Sequence, residues 1–214
     1  SVFPIISFTS PTSVLTIGQL QAIASFIICG DPSDKEAERQ PLTREDIEKN
    51  KEDYLKQIGV IFDLKKTEIH HNSDWHAKAT KQDMIEEAMN FTVNQMSQRD
   101  NFDKRLKADK PVGLHEYLYP LLQGMDSVAI KSDIELGGND QYFNLLAGRT
   151  LQKRYKQSPQ DIMTFDLLEG TDGRKMSKTY QNAIYITDEP NEMFGKVMSI
   201  SDDLMWRYYE LLTD

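Results

Sequence analysis

The sequence predicts an α/β domain built on a parallel sheet flanked by helices. Three observations lead there. Short apolar or β-branched runs alternate with longer amphipathic stretches along the chain. The composition is that of an ordinary soluble domain, 39% hydrophobic and 28% charged. No apolar run approaches the ~20 residues of a membrane helix, so no membrane span is expected. A length of 214 residues suffices for one domain with a real core and a short appendage. The net charge of −9 argues against indiscriminate nucleic-acid binding but leaves room for a local basic patch. The single cysteine, Cys29, excludes a disulfide framework and a Cys-rich zinc site. No leader segment is legible at Ser1, which predicts a cytoplasmic protein.

Taken in order, residues 1–33 carry one charged side chain, Asp31, and residues 34–40 read as a polar loop. Residues 24–29 form an apolar run that is a candidate strand. Thr43 with Asp46 resembles a capping box and opens a helix to about residue 57. A strand follows at 67–71. Thr80 with Asp83 caps the next helix, expected to run to about 98 on an apolar face of Met84, Ala88, Phe91 and Met96. Residues 101–110 are dense in charge and read as a loop. A helix is expected over 115–125, with Pro120 at its start or at a kink. Strands are expected at 128–136 and 161–165, with a helix from 139 to 155 between them. The basic loop 173–179 leads to a short strand at 183–186. Two helices close the chain, the second opened by Ser201 and the acidic pair Asp202 and Asp203.

Three segments carry chemistry. Tyr119, Gln123 and Asp126 are spaced by four and three, so they project from one helix face. A phenol, an amide and an acid on one side can bind an amine and a hydroxyl together; by spacing alone they also fit a solvated polar face. Gly137-Gly138-Asn139-Asp140-Gln141 follows a strand and opens a helix, the place where parallel α/β sheets bind ligands. Asp140 suits a ribose, and the glycines permit close approach; an ordinary turn capped by Asn139 fits equally well. Lys175-Met176-Ser177-Lys178-Thr179 places two lysines in a short polar loop able to stabilise charge on departing phosphates.

Lys175–Thr179 looks like the KMSKS signature of class I aminoacyl-tRNA synthetases, with Thr in the last place. With Tyr119–Asp126, Gly137–Gln141 and a GDPS-like Gly30-Asp31-Pro32-Ser33, the chain resembles the bacterial tyrosyl-tRNA synthetases from about Gly30 to Asp214. The resemblance implies a Rossmann-like catalytic domain over 1–186 and the beginning of a helical domain over 187–214. It implies that tyrosine is activated by ATP to tyrosyl-adenylate and then transferred to tRNA(Tyr), whose contacts here are confined to the acceptor end. Mg2+ is expected with the ATP phosphates, no metal is expected among the site residues, and a homodimer is implied. Asp31, Tyr119 and Gln123 match positions that hold the tyrosine ammonium group, Asp126 matches the reader of the phenolic hydroxyl, and Gln141 lies near the carboxyl group. Gly138 and Asp140 match ribose contacts. Met176, Ser177 and Thr179 belong to the phosphate loop, Lys175 and Lys178 match its stabilising lysines, and Lys35 and Arg39 match mobile basic residues that engage pyrophosphate. A buried hydroxyl partner at Asp126 would reject phenylalanine, which leaves it unpaired.

The N-terminal segment departs from the family. Its HIGH signature is replaced by Thr16-Ile17-Gly18-Gln19, with Thr16, Gly18 and Gln19 as the nucleotide-side candidates. The interval from Thr16 to Asp31 is shorter than the family's. Two further readings therefore stay open: a relative that binds tyrosine or adenylate without efficient turnover, and a fragment without ligand. Tryptophan activation is a neighbouring possibility. His70, His71 and His76 lack partners at ligand spacing and read as solvated loop histidines. Trp75 reads as a core or interface residue. Lys104, Arg105, Lys107 and Lys110 form a basic run suited to an acceptor stem or to solvent, and the same holds for Lys153, Arg154 and Lys156.

Overall fold

The computed structural model describes residues 5–9, 12–17, 52–53, 55–176 and 180–213, the first two segments as backbone only. Five strands form one sheet in the order β3-β2-β1-β4-β5: β1 Ile5–Thr9, β2 Thr12–Ile17, β3 Thr67–His71, β4 Ile134–Gly138 and β5 Asp161–Phe165. β2 with β3, and β4 with β5, pair parallel. β1 lies between the two pairs and is antiparallel to both β2 and β4. The α/β class therefore stands, with four strands running one way and the central strand reversed. The carboxyl ends of β2, β3, β4 and β5 consequently share one edge of the sheet.

The helices are α1 Ser73–His76, α2 Lys81–Ala88, α3 Val93–Ser97, α4 Asp100–Lys107, α5 Leu114–Ile130, α6 Tyr142–Arg154, α7 Pro190–Met198 and α8 Asp202–Leu212. A 3-10 turn, Asn139–Gln141, joins β4 to α6. The strands expected at 67–71 and 161–165 lie where they were read. Ser201 caps α8 by accepting from the Leu204 amide at 3.3 Å, and Pro190 occupies the first turn of α7.

Four expectations need correction. The helix read over 80–98 is two helices, because Thr92 and Gln95 form a second capping box that restarts the chain. The charged run 101–110 is mostly α4. Its Phe102 is fully buried against Tyr117 at 4.9 Å between ring centroids, and Arg105 forks onto Glu116 at 2.6 and 2.9 Å. The strand read over 128–136 begins only at Ile134. α5 runs on to Ile130 and stops at Lys131, which takes a left-handed φ of 53°. Residues 183–186 join no ladder. Helical residues at 52–53 and 55–58 fall at the end of the helix read over 43–57, whose start lies outside the described residues, as does the candidate strand 24–29.

The core sits between α5 and α6, packed on β4. Leu121, Leu122, Val128, Leu145 and Leu151 are buried there, each worth about 1.5–3 kcal/mol on removal from water. The helices approach closely at Gly148, where a Cβ would lie 2.4 Å from Ser127 Oγ.

Candidate active site

The segments that follow β3, β4 and β5 converge at the shared strand edge, the usual ligand position in such sheets. α5 brings Tyr119, Gln123 and Asp126 to it, and all three are buried. Burial removes the solvated-face reading of that triplet.

Asp126 is held by three side chains. Trp75 donates its indole Nε1–H to Oδ1 at 2.8 Å, and His76 Nε2 meets the same oxygen at 2.8 Å. Asn72 Nδ2 donates to Oδ2 at 3.4 Å. These donors come from the end of β3 and from α1, about fifty residues away in sequence. His76 is therefore a helical residue with a covered side chain, 6% exposed, and not a solvated loop histidine. His70 does sit at the surface, against Glu68.

Gln123 and Gln141 are joined through Asn144, whose Nδ2 donates to Gln123 Oε1 at 3.0 Å and to Gln141 Oε1 at 2.9 Å. The buried Gln123 Nε2 has no protein partner among the described residues. An unspent buried donor is costly unless a ligand uses it. Gly137 and Gly138 end β4. A Cβ on Gly138 would lie 2.6 Å from both Asp140 Oδ1 and Leu167 Cδ2, so the backbone comes close to the 3-10 turn only as glycine. Asn139 does not cap α6; its amide reaches Asp166, which also holds Arg207 at 2.6 Å.

Lys175 Nζ stands 3.1 Å from Asp140 Oδ2, joining the basic loop 173–179 to the turn after β4. Its backbone bridges Glu169. Asn182 staples this hairpin by donating to Asp172 Oδ1 at 2.7 Å and to the Lys175 carbonyl at 3.2 Å. The Asn182 amide, helped by Arg174, holds the Asp172 carboxyl down at about 2. Met176 is described and continues the loop; Ser177, Lys178 and Thr179 lie outside the described residues. So do Gly18, Gln19, Asp31, Lys35 and Arg39, while the backbone of Thr16 pairs with Ile5 and His70 near the end of β2.

Behind the site, Glu135 on β4 is fully buried. Ser127 donates to its Oε2 at 2.6 Å and Gln160 donates to the same oxygen. Burial nonetheless pushes its carboxyl up to about 7. Burial likewise raises Glu87 on α2 to about 7, with the His76 ring pulling the other way. Sequence reasoning did not find Asn72, Trp75, His76, Asn144 or Asn182 as site residues. For Asn72, Trp75 and His76 the local signal is polar or aromatic side chains just after a strand, which is weak alone; Asn144 within α6 and Asn182 beyond the basic loop carry none.

Comparison with known proteins bears on the family and the fold. The family model for tRNA synthetases class I (W and Y) matches residues 12–214. A tyrosine–tRNA ligase of Ralstonia nicotianae is 56% identical over 185 residues, covering 86% of this chain and 47% of that protein. One from Coxiella burnetii is 55% identical, covering 86% and 46%. The chain thus spans about half the length of the curated relatives it matches. Among solved structures, a tyrosyl-tRNA synthetase from Archaeoglobus fulgidus, complexed with L-tyrosine, superposes with a TM-score of 0.64. It is 20% identical, and the match covers 93% of this chain and 61% of that one. A tryptophanyl-tRNA synthetase from Campylobacter jejuni, with ADP and tryptophan, gives 0.56 at 16% identity over 87% and 56%. These structural likenesses show a shared Rossmann-like fold. Motifs, strand-edge geometry and the family match together place this chain among the class I tRNA synthetases of the tryptophan and tyrosine group.

Proposed function

We propose that this chain is the catalytic region of a tyrosine–tRNA ligase, activating tyrosine with ATP and passing the tyrosyl group to the acceptor end of tRNA(Tyr). The observation that carries the reading is the buried Asp126 carboxylate, held by donors from Asn72, Trp75 and His76 beside the Gln123–Asn144–Gln141 amides. Asp126 meets the phenolic hydroxyl. Tyr119 and Gln123, with Asp31, hold the ammonium group, and Gln141 lies by the carboxylate. Gly138 and Asp140 take the ribose, with Thr16, Gly18 and Gln19 on the nucleotide side. The tyrosine carboxylate attacks the α-phosphate in line and pyrophosphate leaves. Lys175 and Lys178, with Met176, Ser177 and Thr179 of their loop and Lys35 and Arg39, stabilise the charge that develops on the leaving phosphates. The adenylate then acylates the terminal ribose of the tRNA. Lys175 is spent on Asp140 in this structure, so ATP binding exchanges that contact for ribose and phosphate.

Mg2+ accompanies the ATP phosphates as part of the substrate. Among the described residues no group of three or more His, Cys, Asp or Glu side chains is placed to hold a metal ion. A homodimer fits the exposed Ile85 on α2 and Met89 just past its end, together with exposed Val93 and Leu114 at the starts of α3 and α5. α7 and α8 begin a helical domain after residue 186. No helix among the described residues is long and apolar enough to cross a membrane; a cytoplasmic location belongs to the ligase reading itself.

Tyrosine-dependent ATP–pyrophosphate exchange tests the reading, with Lys178→Ala as control. Exchange that falls about 10²-fold or more in the control supports it. A chain that binds tyrosine but exchanges no pyrophosphate is instead a binding relative with altered phosphate machinery, which the replacement of HIGH by Thr16-Ile17-Gly18-Gln19 would explain.

A further inference from the structure

A single carboxylate reads a hydroxyl selectively only if its plane is fixed. The terminal torsion of an aspartate is broad and roughly two-fold. One donor fixes where an oxygen sits but not how the carboxylate plane is turned. Here Oδ1 receives two strong donors, Trp75 Nε1 and His76 Nε2, each at 2.8 Å, while Oδ2 has one long contact, Asn72 Nδ2 at 3.4 Å. The carboxylate is thus divided between a saturated oxygen and one with lone pairs left for a ligand. His76 ends the four-residue helix α1, and its ring and Asp126 are both nearly water-free, 6% and 4% exposed. A carboxylate oxygen only accepts, so Nε2 carries the proton of this bond. On the acidic side of its surroundings the ring also feels Glu87, buried on α2.

We propose that His76 is a positioning residue for tyrosine specificity, its Nε2–H and the Trp75 indole together clamping Asp126 Oδ1 so that Oδ2 is turned to accept the substrate's phenolic hydroxyl. This rests on the reading of Asp126 as the group that meets that hydroxyl. It adds a specific requirement: tyrosine should depend on the His76 donor, and phenylalanine, which makes no bond to Asp126, should not.

The test measures tyrosine and phenylalanine binding by equilibrium dialysis in the whole chain, with His76→Leu, His76→Gln and Asp126→Ala. His76→Leu keeps an apolar side chain of similar bulk and removes the donor. The expected result is tyrosine affinity down about tenfold, the loss of one charge-assisted bond, with phenylalanine affinity within about twofold of the parent. His76→Gln, whose Nε2–H replaces that of the ring, restores most of the preference. A purely structural role would weaken both amino acids alike and would show no rescue by Gln; either outcome overturns the proposal. If Asp126→Ala also leaves the tyrosine-to-phenylalanine ratio intact, the underlying reading of Asp126 falls too. If the ratio collapses in Asp126→Ala but not in His76→Leu, only the role of His76 falls. Should His76→Leu fail to fold, the parent chain answers alone. Its ¹⁵N-histidine spectrum is expected to show one slowly exchanging Nε2 proton that moves with tyrosine and not with phenylalanine. The absence of that proton, or an equal response to both ligands, overturns the proposal.

Discussion

Asp126 shows how little one residue means before its neighbours are known. A buried carboxylate with three donors is an acceptor held in readiness, and removing it leaves the Trp75 and His76 donors buried without it. Asp126→Ala is expected to cut the preference for tyrosine over phenylalanine about tenfold to a hundredfold, measured as the ratio of pyrophosphate-exchange efficiencies. Unchanged discrimination would show that another group reads the hydroxyl. Glu135 makes a different residue-level point. Its carboxyl is raised from 4.5 to about 7 by burial, so the folded chain keeps a proton that the unfolded chain has lost. Stability therefore falls as pH rises from about 4.5 to about 7, then levels off. Glu135→Gln mimics the protonated acid toward Ser127 and Gln160, and should shrink that fall in a series of thermal melts. A slope unchanged by the substitution would assign it to other groups, of which Glu87 is the first candidate.

At the scale of elements, α5 and α6 decide the site. α5 carries Tyr119, Gln123 and Asp126, α6 begins at the turn after Gly137 and Gly138, and the two pack closely at Gly148. A Cβ there would lie 2.4 Å from Ser127 Oγ and 2.8 Å from Gln160 Nε2, both in the Glu135 network. Gly148→Ala should therefore cost about 1–3 kcal/mol, the usual range for overpacking, seen as a lower denaturation midpoint. An unaffected midpoint would mean the helices can separate freely. The hairpin 169–175 is the other decisive element. It carries no apolar side chain, and its geometry depends on Asn182 bonding Asp172 and the Lys175 carbonyl. Asn182→Ala should slow exchange through misplacement of Lys175 while leaving tyrosine binding unchanged.

For the whole molecule, the reversed central strand β1 holds together two parallel pairs that each supply half of the site. β3 leads to the donors of Asp126, and β4 and β5 lead to the glycine turn and the hairpin 169–175. A ligand spanning that edge links the two halves, so saturating tyrosine is expected to raise the melting temperature by several degrees as binding to the folded state alone requires. No shift would argue for a structural fragment. α7 and α8 expose Phe194, Met198 and Trp206, a run of apolar surface at the C-terminal end of the described residues.

By itself, the sequence determined the elements whose signals are local. The β3 and β5 boundaries, the Thr80 and Ser201 caps, and the spacing of Tyr119, Gln123 and Asp126 on one helix face all depend on neighbours within a few residues. Motif order along the chain was equally legible, and with it the family. Tertiary structure alone decided the rest. Residues 128–130 read as strand because they are apolar, yet packing extends α5 through them; residues 101–107 read as loop because they are charged, yet Phe102 and the Arg105–Glu116 fork make them a helix. His76 looked solvated because its partner, Asp126, lies fifty positions on. Local propensity is a sum over near neighbours, whereas burial and carboxylate pairing are set by residues that meet only once the sheet has brought its strand ends to one edge.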